Sequence, residues 1–123
     1  MNQNIKAVLD AIRIDGAAIP NAFMYYDGEA NTFMVYSSTS ERVGLSGDDV
    51  PLGLVEAWDV DVYSATNYLE LANEVKKAMI AAGWTYRGSG TDTYDEATKL
   101  YHRLLEFEIE TDEDLSAEAG EGA

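Results

Sequence analysis

Apolar residues near the start of the chain recur at the spacing of a helix. Four of them stand at i, i+3, i+4 and i+7 and would share one stripe of a helix. They are Ile5, Val8, Leu9 and Ile12. Gly16 follows and favours an end to the element, so the pattern predicts a first helix with one buried face.

Two β-favouring runs come next, FMYY at 23–26 and TFMVY at 32–36. The Asp27-Gly28 pair between them supplies the positive φ of a turn, which predicts strand, turn and strand. Residues 37–53 are polar and rich in turn formers and predict a mobile loop. Its irregularly spaced apolar residues would pack down as a flap or contact a partner. They are Val43, Leu45, Val50 and Leu52.

The run LVEAWDVDVYS at 54–64 alternates between apolar and polar residues and predicts a strand with one buried face. One side carries Trp58, Val60 and Val62, and the other carries Asp59, Asp61 and Tyr63. The two aspartates share a face, but a hard-metal site needs about six oxygens and no calcium-loop pattern follows. A solvated or interface face is therefore favoured, and we expect no metal site.

The clearest helical pattern covers residues 66–82. Its apolar stripe contains Tyr68, Leu71, Ala72, Val75 and Met79. Asn67 and Glu70 resemble a capping box, with Thr66 as a rival cap, and Gly83 can take the left-handed position after the last turn. The stripe is more typical of a helix that packs on a sheet than of a cofactor site.

Two further strands are predicted, one from Trp84 and one in the stretch DEATKLYHRLLEF at 95–107, with a turn at 88–92 between them. The second strand holds the only histidine, His102, on the same face as Glu106. A histidine base needs a carboxylate to orient it, and Glu106 lies about 13 Å along the strand. The sequence also lacks paired-histidine metal spacing, a nucleophile elbow and a glycine-rich phosphate loop. We expect no catalytic residue, no cofactor and no enzyme activity.

These elements predict an α+β fold, with a small and mostly antiparallel sheet, two helices packed on one face, a long loop and an extended hairpin. Both sheet edges would be open and available for assembly with other strands. Residues 1–109 are predicted to form a single domain. Residues 110–123 carry six acidic and no basic side chains and are predicted to be a disordered tail.

The net charge of the chain limits the classes of function that it can have. The 123 residues contain 23 acidic and eight basic side chains, for a net charge of −15, and 17 of the acidic ones lie before residue 110. Such a surface disfavours binding to the phosphate backbone. The acidic charge is consistent with three interpretations: a merely solvated surface, a surface past which DNA slides, or a mimic of DNA. The absence of cysteine, a signal sequence and a long apolar run predicts a soluble, intracellular protein with no membrane contact.

The second half of the chain, about residues 55–110, resembles the tail-terminator and tail-completion proteins of long-tailed bacteriophages. In that pattern a "v-D-v-y-s" strand leads to a helix ending in "m-x-x-x-G-aromatic", followed by "Y-x-E-x-T" and "Y-H-(K/R)-x-x-x-F". The matching residues are Asp61, Tyr63, Ser64, Met79, Gly83, Trp84, Tyr94, Glu96, Thr98, Tyr101, His102, Arg103 and Phe107. Trp84 stands where phenylalanine is more usual, and residues 1–54 match only in their expected elements.

The resemblance implies a structural virion protein, located in the phage tail or neck and in the host cytoplasm during assembly. Members of the family form hexameric rings that cap the finished tail tube and present a surface to the head connector. Expected partners are therefore further copies of the chain, the tail tube protein and the head-tail connector protein. DNA would pass through an acidic ring without specific binding.

Two sets of site residues are predicted on this basis. Subunit or partner contacts are assigned to Val43, Leu45, Val50, Leu52, Arg87, Tyr94, His102 and Arg103. Candidate channel residues are Asp48, Asp49, Asp59 and Asp61. The alternative function is an acidic inhibitor that mimics DNA and binds a nucleic-acid-binding protein. It predicts a monomer or dimer, whereas the terminator predicts rings.

Overall fold

The computed structural model describes residues 2–45 and 51–111, which form two helices and eight strands. In chain order these are α1 (Asn2–Asp10), β1 (Arg13–Ile14), β2 (Ala17–Ala18), β3 (Asn21–Phe23), β4 (Thr32–Leu45), β5 (Pro51–Ser64), α2 (Tyr68–Ala81), β6 (Thr85–Ser89), β7 (Thr93–Asp95) and β8 (Leu100–Thr111). The predicted α+β class is confirmed.

Six strands form one sheet in the order β3-β4-β5-β8-β6, and β7 pairs with β8 beside β6. Every neighbouring pair in this sheet is antiparallel except β3 and β4, which are parallel. Strands β1 and β2 form a separate two-stranded ribbon. The central strand β5 pairs along most of its length with both β4 and β8.

Both helices contribute to one apolar core with a single face of the sheet. The core includes Ile5, Leu9 and Ile12 from the first helical region, Leu71, Val75 and Met79 from α2, and Trp58, Val60, Val62, Leu105 and Phe107 from β5 and β8. The predicted helical stripes and the alternation of β5 are therefore confirmed. The opposite face of β4, β5 and β8 carries no helix within residues 2–45 and 51–111 and is here called the open face.

The C-terminal end of α2 follows its prediction. Gly83 has φ +103°, and the N–H of Trp84 donates to the Met79 carbonyl at 3.0 Å, which satisfies a carbonyl of the last turn. The N-terminal end differs, because the Asn67 side chain makes no capping hydrogen bond to the backbone. Its amide donates instead to Glu70 Oε1 at 3.1 Å. The predicted capping box is wrong in its backbone contacts.

The predicted hairpin of FMYY with TFMVY is wrong. The first run is a strand only to Phe23, which lies beside Tyr36 in a parallel pair, and the Met24 N–H donates to the Tyr36 carbonyl at 2.8 Å. Residues 24–31 then return the chain to the start of β4. Because β5 pairs with one edge of β4, the short β3 takes the other edge in the same direction as β4.

The predicted loop at 37–53 is also wrong where the structure describes it. Strand β4 continues to Leu45 and β5 begins at Pro51, with Val43 opposite Leu54 and register shifts at Ser38/Ser40 and Gly44/Leu45. Pairing with β5, itself held by β8, supplies backbone hydrogen bonds that outweigh the weak strand preference of this polar segment. Val43, Leu45 and Leu52 thus lie in strands, and Val50 lies outside the described residues.

Three element ends are also corrected. Helix α1 ends at Asp10, and Gly16 (φ +82°) lies instead in the turn between β1 and β2. The final strand begins at Leu100, because residues 96–99 turn the chain between β7 and β8. Strand β8 runs to Thr111, two residues past the predicted end of the domain, and residues 112–123 lie outside the described residues.

Candidate functional site

Four stacked rings cross the open face and are here called the aromatic row: Tyr26, Phe33, Tyr63 and His102. Tyr26 stacks on Phe33 with ring centroids 4.2 Å apart, and Phe33 stacks on Tyr63 at 4.8 Å. Tyr63 then stacks on the His102 imidazole at 4.5 Å, and each interplanar angle is below 20°. The row therefore joins the loop before β4 to three adjacent strands.

Strand register builds this row. Phe33 is the direct partner of Tyr63, and Tyr63 is the direct partner of His102. Directly opposite side chains on one face of a sheet are close enough to pack, so three of the rings meet wherever these strands pair in this register. Alternation in the sequence placed Tyr63 and His102 on exposed faces of their strands, but the pairing partners could not be read from it.

The fourth ring is positioned by a glycine. A Cβ at Gly28 would overlap the ring and hydroxyl of Tyr26, and the Tyr26 hydroxyl accepts a hydrogen bond from the Ala30 N–H at 3.2 Å. Gly28 does not have positive φ. Its role is therefore to let the backbone approach Tyr26, whereas the sequence suggested a role in turn conformation.

His102 has an orienting carboxylate that sequence reasoning did not find. Its Nε2 lies 2.6 Å from Asp61 Oδ1, and its Nδ1 lies 3.2 Å from the Thr93 hydroxyl. A neutral imidazole satisfies both contacts when Nε2–H donates to Asp61 and Nδ1 accepts from Thr93. Asp61 is opposite Leu104, so it reaches His102 diagonally across β5 and β8. The half-buried ring is thus held by two polar contacts and by stacking on Tyr63.

Three carboxylates, Asp59, Asp61 and Glu106, lie on the open face beside the aromatic row. Asp59 is half-buried and directly opposite Glu106, and Asp61 is two residues along the same strand face. Burial, followed by the charges of Asp61 and Glu106, raises the pKa of Asp59 to about 6. Neither a cation nor a hydrogen-bond donor of the described residues offsets this effect.

The arginines of this region lie farther along the sheet. Arg42 contacts Glu108 at 3.3 Å and Arg87 contacts the same carboxylate at 4.0 Å. Both arginine side chains are more than half exposed, so these ion pairs contribute little to stability. They nevertheless bring two positive charges to Glu108 and none to Asp59 and Glu106.

A cavity of about 330 Å³ lies over the aromatic row. Phe33, Val35, Tyr63 and His102 line its floor. Met24 and Tyr25 line one side, and Thr93 and Thr98 from the β7–β8 hairpin line the other. Met24 has φ +67°, and the Tyr25 N–H donates to the Phe23 carbonyl at 2.7 Å, a tight three-residue turn that is rare for a side-chain-bearing residue.

A second aromatic cluster lies on the helix side of β8. Tyr101 stacks on Tyr68 at 5.2 Å and contacts Tyr94 at 4.7 Å. Arg103 donates to Asp92 through Nε at 2.7 Å and through a terminal nitrogen at 2.8 Å, and this pairing holds the pKa of Asp92 below its usual value. The bidentate contact anchors the segment before β7 to β8.

The predicted interface residues are thus divided between surfaces. Arg87 and His102 contact residues of the open face, whereas Tyr94 and Arg103 belong to the helix-side cluster. Tyr94 is 49% exposed and is free to contact a partner. The channel candidates Asp59 and Asp61 lie on the open face. Asp48 and Asp49 lie outside the described residues, and both sets of roles stay predictions.

Within residues 2–45 and 51–111, no group of three or more His, Asp or Glu side chains is placed to hold a metal ion. No helix in the same ranges is long and apolar enough to cross a membrane.

Comparison with known proteins shows a shared fold. No family model and no curated protein matches the chain. Among solved structures, it is similar to a chain in the virion of a native gene transfer agent particle, with a TM-score of 0.54 and 17% sequence identity. The match covers 86% of this chain and 90% of the other. The two chains therefore share an overall fold over most of their lengths.

Gly28→Ala is expected to disturb the aromatic row. The added Cβ must displace the Tyr26 ring from Phe33, so we expect a loss of about 0.5–1.5 kcal/mol in unfolding free energy and a changed near-ultraviolet circular dichroism spectrum. Gly90→Ala is the matched control, because its Cβ would meet Leu104 at an ordinary 3.4 Å and should cost less than about 0.5 kcal/mol. Equal losses in chemical denaturation would contradict the proposed contact.

Asp59→Asn is expected to stabilise the protein at neutral pH. The folded-state pKa of Asp59 is about 6 against an ordinary 3.8, so its ionisation opposes folding. The gain should be complete above pH 6 and disappear as the pH falls below 4. Solvent screening at this half-exposed site limits the gain to about 1 kcal/mol.

Exposed Asp15 provides the control for that variant. Asp15→Asn makes the same change in net charge at positive φ, a conformation that asparagine tolerates. Thermal unfolding from pH 3.5 to 8 should show a pH-dependent difference for Asp59→Asn alone. A gain that is constant with pH, or equal in both variants, would refute the assignment.

Proposed function

We propose that this chain is a structural subunit of a phage-type virion, and specifically a tail terminator whose ring caps the tail tube and joins it to the head connector. The observation that carries the proposal is the fold similarity to a chain of a gene transfer agent virion over 86% of this chain. The terminator motifs in residues 55–110 support the more specific role. No catalytic step is assigned to the chain.

Open strand edges support assembly between copies. Strand β3 pairs only with Met34, Val35 and Tyr36 of β4. Beyond Tyr36 the outer edge of β4 has no partner among the described strands, and this edge continues to Leu45. Exposed backbone edges of this length readily pair with another chain unless they are protected. In a ring, each copy would cover the exposed strand edge of the next copy and pair with its free backbone groups.

The charge supports the passage of DNA. A ring of chains with a net charge of −15 each repels phosphates and makes few contacts that would hold DNA. On this proposal Asp59 and Asp61 line the channel if the open face points inward. Cryo-EM of the assembled ring would place these residues directly, and a position on the outer rim would exclude the channel role.

Association with tail tubes tests the proposal. The chain of 13.5 kDa is expected to form a species near 81 kDa, the mass of six copies, or to elute together with uncapped tubes when these are added, as measured by size-exclusion chromatography with light scattering. When added to polymerising tube subunits, it should shorten the tubes seen by electron microscopy. Tubes that are already capped provide the control and should bind no further protein.

The DNA-mimic alternative predicts different results. The protein would stay a monomer or dimer, leave tube length unchanged and bind a nuclease or repressor in a salt-sensitive way. That combination of results would reject the terminator role.

A further inference from the structure

The open face has two chemically different parts, which are here together called the groove. Its upper part is the cavity over the aromatic row, with an apolar floor of Phe33, Tyr63 and the His102 ring. Its lower part carries Asp59 opposite Glu106. Tyr63, Asp61 and Asp59 follow one another at intervals of two on the same face of β5, so the groove extends about 13 Å along this strand.

In the isolated chain, the upper part leaves large apolar side chains exposed, and the lower part leaves its carboxylates without a cation from the described residues. Met24 and Tyr25 stand at the side of the cavity while 67% and 74% exposed, and a turn with positive φ at Met24 holds them there. Large exposed apolar side chains beside a cavity indicate a contact surface. In the lower part, half-buried Asp59 faces Glu106 without a cation from the described residues, because Arg42 and Arg87 both contact Glu108 instead.

The geometry points to a binding site for an extended, basic segment of a partner protein that places an aromatic or aliphatic side chain over the aromatic row and Lys or Arg opposite Asp59 and Glu106. Alternate residues of a strand point to one side, so an apolar residue followed by cations at the second and fourth positions matches Tyr63, Asp61 and Asp59. Cations there relieve the like-charge repulsion, and the apolar side chain fills the cavity.

This inference goes beyond the terminator role, since it identifies a partner by its chemistry and does not require a ring. It also gives Asp59 a role different from channel lining, because a carboxylate that binds a partner's cation does not face passing DNA. The aromatic floor favours the docking role, since a cavity lined by side-chain rings contributes nothing to the passage of DNA.

The test uses the full chain, labelled with nitrogen-15, and a synthetic extended peptide of about seven residues. Phenylalanine occupies the second position, lysine the fourth and sixth, and threonine the rest. We expect saturable amide shifts in the NMR spectrum centred on Val35, Asp61, Tyr63 and His102. A peptide with glutamate in place of both lysines should bind at least about tenfold more weakly.

Variants separate the two parts of the groove. The double variant Asp59→Asn, Glu106→Gln is expected to lower the affinity for the lysine peptide about fivefold or more and to reduce the difference between the two peptides. Tyr63→Leu should weaken both peptides while the lysine preference is kept. Asp15→Asn, on the β1–β2 ribbon, is the matched charge control and should bind as the parent does. The NMR spectrum of each variant reports directly whether it is folded.

Several outcomes would overturn the inference. These are the absence of saturable shifts, shifts centred on another surface, equal binding of the two peptides, or an equal loss in Asp15→Asn, which would show general charge attraction. Concentration-dependent shifts in the groove without peptide would assign it to a second copy of the chain and also reject the proposed partner. A ring that forms normally while the peptide fails to bind would leave the terminator role in place and remove only this inference.

Discussion

The pairing of β5 with β4 on one side and β8 on the other is the constraint on which the rest of the structure depends. It buries Trp58, Val60 and Val62 against the helices and turns Asp59, Asp61 and Tyr63 to the open face. A shift of one residue in either register would exchange these two faces. The apolar face therefore fixes the register, and the register in turn assembles the open-face site.

The same pairing explains how an acidic chain tolerates a half-buried aspartate. Core packing on one face of β5 holds the strand in place, so Asp59 stays opposite Glu106 even though the two charges repel. Two residues along the same strand, Asp61 contacts His102 at 2.6 Å. Two carboxylates on one strand thus have different environments.

Several parts of the site could be predicted from the sequence. Alternation placed Asp59, Asp61 and His102 on the strand faces away from the core, where they lie half-buried. Sequence reasoning rejected an orienting carboxylate for His102 because Glu106 is too distant along the strand, whereas Asp61 supplies it from the neighbouring strand. The cavity was missed as well, since its sides come from residues 24–26 and from the β7–β8 hairpin, which are far apart in sequence.

What the sequence determined by itself was local: both helical stripes, the left-handed Gly83, the two faces of β5 and the acidic charge. These depend on periodicity, backbone sterics and composition, which act within a few residues. Only the tertiary structure decided that β3 runs parallel to β4, that residues 37–45 form a strand and that four rings meet on one face. Backbone hydrogen bonding between distant segments has no local signature, and it outweighs the weak conformational preferences of polar residues.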